Sequence, residues 1–362
     1  MTATPGFRMR GFTLVELMVS MTLSLILLAG ALSILYSTKL TSSENERVAR
    51  IQEAGRTAME LIRQDARAAG YAGCARPHNA SSGWTFTTTG LNSTALLWDF
   101  SKPVYGFEAT SATAWTPALD PVIPASPVPT TGSDVLVLRT ARAGSPVFRT
   151  NAGASGSATI SVDRDPNMPL QTPTPMIIGD CQRSEVFVAT VLSGTGATGS
   201  ISHGTGSTPA GNSSDSLTNG YQVGALLQPV QTVIYYVASC TAVSGSCTAL
   251  TPPALWQIVG TDQAGGGTPQ ELIQGVEAIQ LKYGVDTDGD FLANSYVTAD
   301  AVTDWTKVVS INMAMLIRSI DQTGVEKDNK TYTLLDATYG PFNDRRSRSV
   351  YTTTISLRND TT

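Results

Sequence analysis

Three hundred and sixty-two residues are enough for a large buried core and more than one average domain needs, so one large domain with an appendage, or two domains, is expected. Charged residues make up 15% of the chain, against roughly a quarter in an ordinary soluble domain. The 24 Lys and Arg against 29 Asp and Glu leave a formal charge of -5, which argues against a nucleic-acid binder with its basic footprint. Two histidines leave little material for histidine-based catalysis or a zinc site, and 41% hydrophobic residues place the chain outside both the disordered and the polytopic classes.

The apolar residues are unevenly placed. The 22 positions from Leu17 to Thr38 carry no charge, and the run LMVSMTLSLILLAGALSILY is long enough at about 1.5 Å per residue to cross a bilayer. A short leader, MTATPGFRMRG, precedes it with Arg8 and Arg10 as a cationic flank, which by the positive-inside rule keeps the leader cytoplasmic and puts the rest of the chain outside. No small-residue cleavage site follows Tyr36, so the apolar segment is expected to be retained. Glu16 is set among Leu14, Val15 and Leu17, where an unpaired carboxylate costs on the order of 2.5 kcal/mol if drawn deep into lipid. It either marks the interface or meets a partner charge at its own depth.

Gly11-Phe-Thr-Leu-Val-Glu16 followed by this apolar run resembles the class III signal of type IV pilins and type II secretion pseudopilins. The resemblance implies that a prepilin peptidase cuts between Gly11 and Phe12, that Phe12 is N-methylated, and that Glu16 pairs with the amino terminus of a neighbouring subunit during assembly. A buried charge that loses its partner is costly, so such a pair would set register.

Beyond the membrane segment the helical pattern continues. Val48, Ile51, Ala58, Leu61, Ile62 and Ala66 recur at three- and four-residue steps and form an apolar stripe. Glu46 with Arg50 and Arg56 with Glu60 have the spacing of ion pairs on the polar face. Gly70 is a natural stop, so a helix over residues 12–70 is expected, its first half (about 14–38) in the membrane and its second half against its own globular domain.

From residue 71 the period changes to two. Residues 134–139, 185–191, 231–238, 254–259, 280–285, 307–320 and 349–358 read as strands, with Val309, Ile311, Met313, Met315 and Ile317 sharing a face of the longest. Residues 116–129, rich in Pro, and the Gly/Ser/Thr tract 193–220 read as turn and loop, while 270–278 is compatible with a short helix or a strand. The expected fold class is α+β: a long amino-terminal helix on an antiparallel sheet with long loops, divided into a leader (1–11), the helix (12–70) and an extracytoplasmic domain (71–362).

Cys74, Cys181, Cys240 and Cys247 allow three disulfide pairings in an exported domain. Local pairing of Cys240 with Cys247 across TAVSGS is the simplest, leaving Cys74 with Cys181 to tie the end of the helix to the sheet.

Several blocks resemble the minor pilin PilW of type IVa pili: LIQGVE at 272–277, LKYGVDTDGD at 281–290, WTKVV at 305–309, Arg345-Arg346, YTTTISLRN at 351–359, and the contexts of Cys74 and Cys181. The resemblance implies a low-abundance subunit that acts with other minor pilins, the major pilin and a tip adhesin-like protein to prime pilus assembly. It also implies residence in the inner membrane before assembly and on the surface pilus afterwards. A type II secretion pseudopilin and a filament-tip adhesin are the alternative readings.

Asp286, Asp288 and Asp290 alternate in DTDGD, which lets carboxylate oxygens converge on Ca²⁺, with Asn294 as a further oxygen donor. An EF-hand is excluded because its sixth and twelfth positions fall on Phe291 and Val297. A plain acidic turn is the competing reading. Gly194, Gly196 and Gly199 match G-x-G-x-x-G inside a biased tract, without a strand-to-helix context, so the match is compositional. His78 and His203 fall in predicted loops with no nucleophile elbow to serve, and no catalysis is expected. Arg345, Arg346 and Arg348 form a basic cluster that reads as a solvated strand approach or as a contact to DNA or a subunit. Trp84, Trp98 and Trp115 read as core rather than ligand-facing aromatics.

Overall fold

The computed structural model describes residues 13–357 apart from 72–84, 88–90, 92–94, 111–113, 124–126, 143, 155–157, 181, 195, 207–210, 240–251, 261–266 and 323–325. The four cysteines, Gly11, Phe12, His78 and Trp84 lie outside the described residues. The chain forms two compact units, Met1–Arg50 and Ile51–Thr362.

One 55-residue helix, α1 (Leu14–Ala68), begins in the first unit and ends in the second. In the first unit its apolar side chains are exposed, Leu14, Ile26 and Ile34 among them, and the segment is long and apolar enough to cross a membrane. In the second unit the helix is amphipathic. Ile51, Ala58, Met59, Ile62, Ala66 and Ala69 are buried in the main core, Met59 joining it where the predicted stripe member Leu61 is only half-buried, while Val48 falls in the first unit and is exposed. Glu46 pairs with Arg50 at 2.6 Å as expected, whereas Glu60 pairs with Arg63 at 3.5 Å instead of with Arg56. Gly70 ends the helix with φ +73°, the left-handed conformation that favours glycine. Its N–H donates to the Arg139 carbonyl at 3.0 Å, which ties the helix end to a strand.

The β-structure is built around Leu226–Ser239, a 14-residue strand that changes partners along its length. Its first residues pair with Thr174–Gly179 and Phe148–Thr150, and its later ones with Val135–Ala141 and Pro253–Gly260. The change falls at Pro229, which has no N–H for a central ladder, so the strand can switch sheets there without an orphan donor. Among the described strands the pairings are antiparallel except that of Thr85–Thr87 with Arg183–Ala189. A second sheet of four strands runs Ser295–Val297, Val276–Val285, Val308–Arg318, Arg348–Ser356.

Alternation sorts these strands onto cores. Leu136, Leu138, Val233, Tyr235 and Val237 face α1, and Ile279, Leu281, Ile311, Met313, Met315 and Ile317 join them from the four-stranded sheet. Val135, Val137, Ile234 and Tyr236 face the other way, onto Trp98, Phe100 and Trp256, with Trp115 packed at the margin. The aromatic residues among these are core, as expected. At the start of Val308–Arg318 it is Val308, not Val309, that joins the helix-side core, because the pairing slips by one residue at Gly284/Val285.

Residues 148–227 build a third core around Phe148, Ile160, Met176, Phe187, Ile201 and Tyr221. The expectation of loop over 193–220 is corrected here: Thr198–Ser202 is a strand paired with Thr159–Asp163 and Val191–Ser193. The undecided segment at 270–278 is strand, Gln270–Gln274, then a turn at Gly275 into Val276–Val285.

Candidate functional site

The amino-terminal carboxylate has a local partner. Thr13 N–H and Thr13 Oγ1 donate to Glu16 Oε2 at 3.0 and 2.9 Å, and Glu16 N–H donates to Thr13 Oγ1 at 3.3 Å. This reciprocal arrangement is a capping box, in which residue N3 returns a bond to the cap and two orphan helix donors are satisfied. The side chains are exposed, so the carboxylate remains open to a further partner. Immediately after it, Leu17, Val19, Leu23, Ile26 and Leu28 present an apolar surface that is exposed among the described residues of this unit.

The C-terminal sheet holds a site the basic-cluster reading misses. Arg348 is neither solvated nor a surface cation: its side chain is fully buried and donates to three carboxylates. Nε and Nη2 form a fork on Glu277 at 2.6 and 3.1 Å, Nη1 and Nη2 a second fork on Asp344 at 2.7 and 2.9 Å, and Nη1 also reaches Asp328 at 2.9 Å. The guanidinium stacks 3.7 Å above the Phe342 ring. Two forks and a ring use the planar geometry that lysine lacks. Burial works against the Arg348 charge, but Asp344, Glu277 and Asp328 outweigh it and push its pKa up. The Arg348 hydrogen bonds hold the Asp344 carboxyl at about 2, against the residual effect of burial.

Glu277 reaches this hub because of a β-bulge. Pairing with Val308–Arg318 shifts between Val276 and Ala278, so Glu277 is the extra residue and its side chain is re-aimed toward Arg348 and Arg318. The preceding Gly275 (φ +91°) lies so close to strand Val308–Arg318 that an added Cβ would stand 2.7 Å from the Arg318 carbonyl oxygen. The signal for the hub was present in the sequence as Gly-Val-Glu277 and Arg348, but nothing in the spacing joins positions 71 residues apart. Arg346 approaches Asp344 at 3.6 Å, and Arg345 stays exposed.

In the DTDGD loop, ligand atoms of Asp286, Asp288 and Asp290 lie within 4.8 Å of one another. Asp286 is buried and acts as the loop's hub. Its Oδ1 accepts from Asp288 and Gly289 N–H at 3.1 and 2.7 Å, and its Oδ2 from Phe291 N–H at 2.9 Å. Burial raises its pKa, but these N–H groups outweigh that effect and leave it below the ordinary carboxylate value. Asn294 closes the loop: its Oδ1 accepts from Thr287 N–H and Oγ1 at 2.6 and 3.0 Å, while its Nδ2 donates to Asp288 at 3.1 Å. The three carboxylates are thus brought together as the sequence predicts, with the Asn294 oxygen turned to the backbone.

The remaining candidates have structural roles. His203 is buried edge-on against Phe187, with ring centroids 5.3 Å apart. Gly194 directly follows strand Val191–Ser193 and Gly199 lies within strand Thr198–Ser202, so neither opens a helix. Trp115 Nε1 donates to the Ser133 carbonyl at 2.9 Å.

Residues 234–359, about a third of the chain, match the family model of the type IV pilus-assembly protein W. Residues 7–32 match the prokaryotic N-terminal methylation motif. These matches support a PilW-like type IV minor pilin. Among curated proteins no relative matches the chain. The PilW match takes in the end of Leu226–Ser239, the four-stranded sheet, Glu277, the Asp loop and Arg348, so the hub lies inside the PilW-like segment. The methylation motif takes in Glu16 and the start of the apolar surface, consistent with membrane anchoring before assembly.

Proposed function

We propose that this chain is a minor pilin that helps prime type IV pilus assembly and resides at or near the pilus tip, with no catalysis of its own. One observation carries the reading. A single helix, α1, is apolar and exposed in its first half, where the methylation motif lies, and from Ile51 onward buries one face in its own domain, so the first half is free to enter a bundle of like helices. In that reading prepilin peptidase cuts between Gly11 and Phe12, Phe12 is N-methylated, and the Glu16 carboxylate exchanges part of its Thr13 cap for the amino terminus of a neighbouring subunit. The globular domain faces the periplasm before assembly and selects neighbours among other minor pilins, the major pilin and a tip adhesin-like protein. Loss of Arg8 and Arg10 with the leader takes the formal side-chain charge from -5 to about -7, so the mature domain is acidic.

Two further assignments accompany this reading. The cysteines pair as Cys240–Cys247 and Cys74–Cys181, and the Asp286, Asp288 and Asp290 loop takes Ca²⁺, which would relieve repulsion among three adjacent carboxylates. Peptide mapping without reductant tests the first.

The experiment for the main reading is a deletion strain scored for surface pili, complemented with wild type and with Glu16→Ala. Loss of pili restored by wild type and not by Glu16→Ala supports the priming role. Full piliation without the gene overturns it, and a secretion defect in its place points to a type II secretion pseudopilin.

A further inference from the structure

Strand Arg348–Ser356 is the outer strand of the four-stranded sheet, and among the described residues it pairs with Val308–Arg318 alone. The ladder runs from Arg348 opposite Arg318 to Ser356 opposite Ser310 without a register shift. Two flanking bonds fix which way each backbone group points. Leu357 N–H donates to the Val309 carbonyl at 2.9 Å and Ser319 N–H to the Ser347 carbonyl at 2.8 Å, so the odd-numbered residues between Ser347 and Leu357 exchange bonds with Val308–Arg318. The even-numbered residues turn their N–H and C=O groups outward. Among the described residues the backbone groups of Val350, Thr352 and Thr354 have no hydrogen bond.

Proteins blunt such an edge with a short strand, a charge, a proline or a bulge. The other described edge strands follow that rule. Thr85–Thr87, Val191–Ser193 and Ser295–Val297 have three residues each and Val104–Phe107 has four, while Gln270–Gln274 pairs across a register shift and carries exposed Glu271. Arg348–Ser356 uses none of these devices: it has nine residues and no proline, and its single charge, Arg348, is turned inward and buried.

The chemistry of this edge names its occupant. N–H and C=O groups on alternate residues, about 7 Å apart, are matched by another extended backbone lying about 4.8 Å away. On one side of the strand Val350, Thr352 and Thr354 are exposed, which suits uncharged β-branched neighbours. On the other side Tyr351 lies against Gly55, and Arg63 Nη2 donates to Thr353 Oγ1 at 3.3 Å. Arg56, next to Gly55, is exposed and has no ion pair among the described residues. Two cations on this flank favour a carboxylate on the helix-facing side of an incoming strand.

We propose that the free edge of Arg348–Ser356 receives an extended segment of a different pilus subunit as an added strand, with β-branched residues beside Val350, Thr352 and Thr354 and an acidic residue beside Arg56 and Arg63. The source of the segment rests on the minor-pilin reading; the strand-accepting edge does not.

The test uses the full chain in detergent micelles and two blocked peptides of alternating Thr and Val, one with a central Asp and one with a central Lys. At saturation the Asp peptide slows amide exchange at Val350, Thr352 and Thr354 by at least about tenfold, while the Tyr351 and Thr353 amides, already bonded in the ladder, change little. It binds at least about threefold more tightly than the Lys peptide. Thr352→Pro removes an outward N–H and keeps the bonds to Val308–Arg318, so it abolishes peptide binding while the ladder amides stay protected, and Thr354→Pro does the same from a second position. No slowing at the three amides, equal affinity of the two peptides, or binding retained in both proline variants overturns the proposal. Self-association of the wild-type chain that both proline variants abolish makes the occupant a second copy and overturns the assignment to a different subunit. In cells, loss of surface pili in both proline variants at normal protein level supports the proposal. Full piliation in both, where the deletion strain lacks pili, overturns it and leaves the priming role standing. Piliation of the deletion strain overturns the priming role instead, and the peptide titration then decides the edge by itself.

Discussion

Replacing Arg348 with Met isolates the energetic weight of the hub in the PilW-like segment. The substitution keeps much of the side-chain volume but removes the donors for Glu277, Asp344 and Asp328, leaving three carboxylates grouped around an apolar group. Breaking a buried pair by deleting one partner costs about 3 to 5 kcal/mol, most of it from the charges left behind. Two forks and a third carboxylate place Arg348→Met near about 4 kcal/mol, and Arg348→Lys, which keeps the charge and loses the forks, near about 2 kcal/mol. For a domain of this size about 4 kcal/mol lowers the melting temperature by roughly 10 °C. Denaturant unfolding of the full chain in detergent, followed by tryptophan fluorescence, measures both variants. The pH dependence adds an independent check. Asp344 is held at about 2 in the folded chain, below its unfolded value, so its contribution is fully present above about pH 4 and is lost as pH falls toward 2. The difference between wild type and Arg348→Met should therefore narrow on acidification. A loss under about 1 kcal/mol in Arg348→Met, or a gap that does not depend on pH, would refute the reasoning and make the hub no stronger than an exposed ion pair.

Three further outcomes are expected. Gly55→Val should destabilise by about 1 to 3 kcal/mol, because a Cβ there would stand 2.6 Å from the Tyr351 ring, and adding Tyr351→Ala should recover part of the loss; an unchanged melting temperature in Gly55→Val would show that the helix does not seat this closely. Burial raises the Glu108 carboxyl to about 7, with Asp300 and Asp336 adding to it and Lys282 and the Ala299 N–H opposing it, so folding favours its protonated form; its contribution falls as pH rises from about 4.5 through 7, and Glu108→Gln should be more stabilising at pH 8 than at pH 4.5, whereas a constant difference across that range contradicts the assignment. Millimolar Ca²⁺ should raise the melting temperature of wild type and not of Asp286→Ala, and equal responses would remove the Asp loop as a cation site.

How much could be read in advance depended on how local each signal was. The helix was legible because its stripe from Ile51 to Ala66 and its stop at Gly70 lie within a few turns, and the strands around Leu136, Ile234 and Met313 were legible because each carries a run of alternating apolar residues. Thr159–Asp163 and Thr198–Ser202 were missed because each offers few apolar positions and draws its stability from pairing with the other across more than thirty residues. The Arg348 hub was hidden for the same reason: a bulge at Glu277 and a turn at Asp344 converge on one guanidinium, and neither is encoded by a pattern near Arg348. In the Asp loop the carboxylates were placed correctly from their spacing, but the use of Asn294 as a clasp depended on the backbone path of residues 287–294.

The central claim is that this chain is processed as a prepilin and built into pili, and mass spectrometry of pili sheared from the cell surface tests it most directly. The account predicts an amino-terminal peptide that begins at N-methylated Phe12 in the sheared fraction. A chain absent from that fraction, and found in the membrane with Met1 and its leader intact, would contradict it.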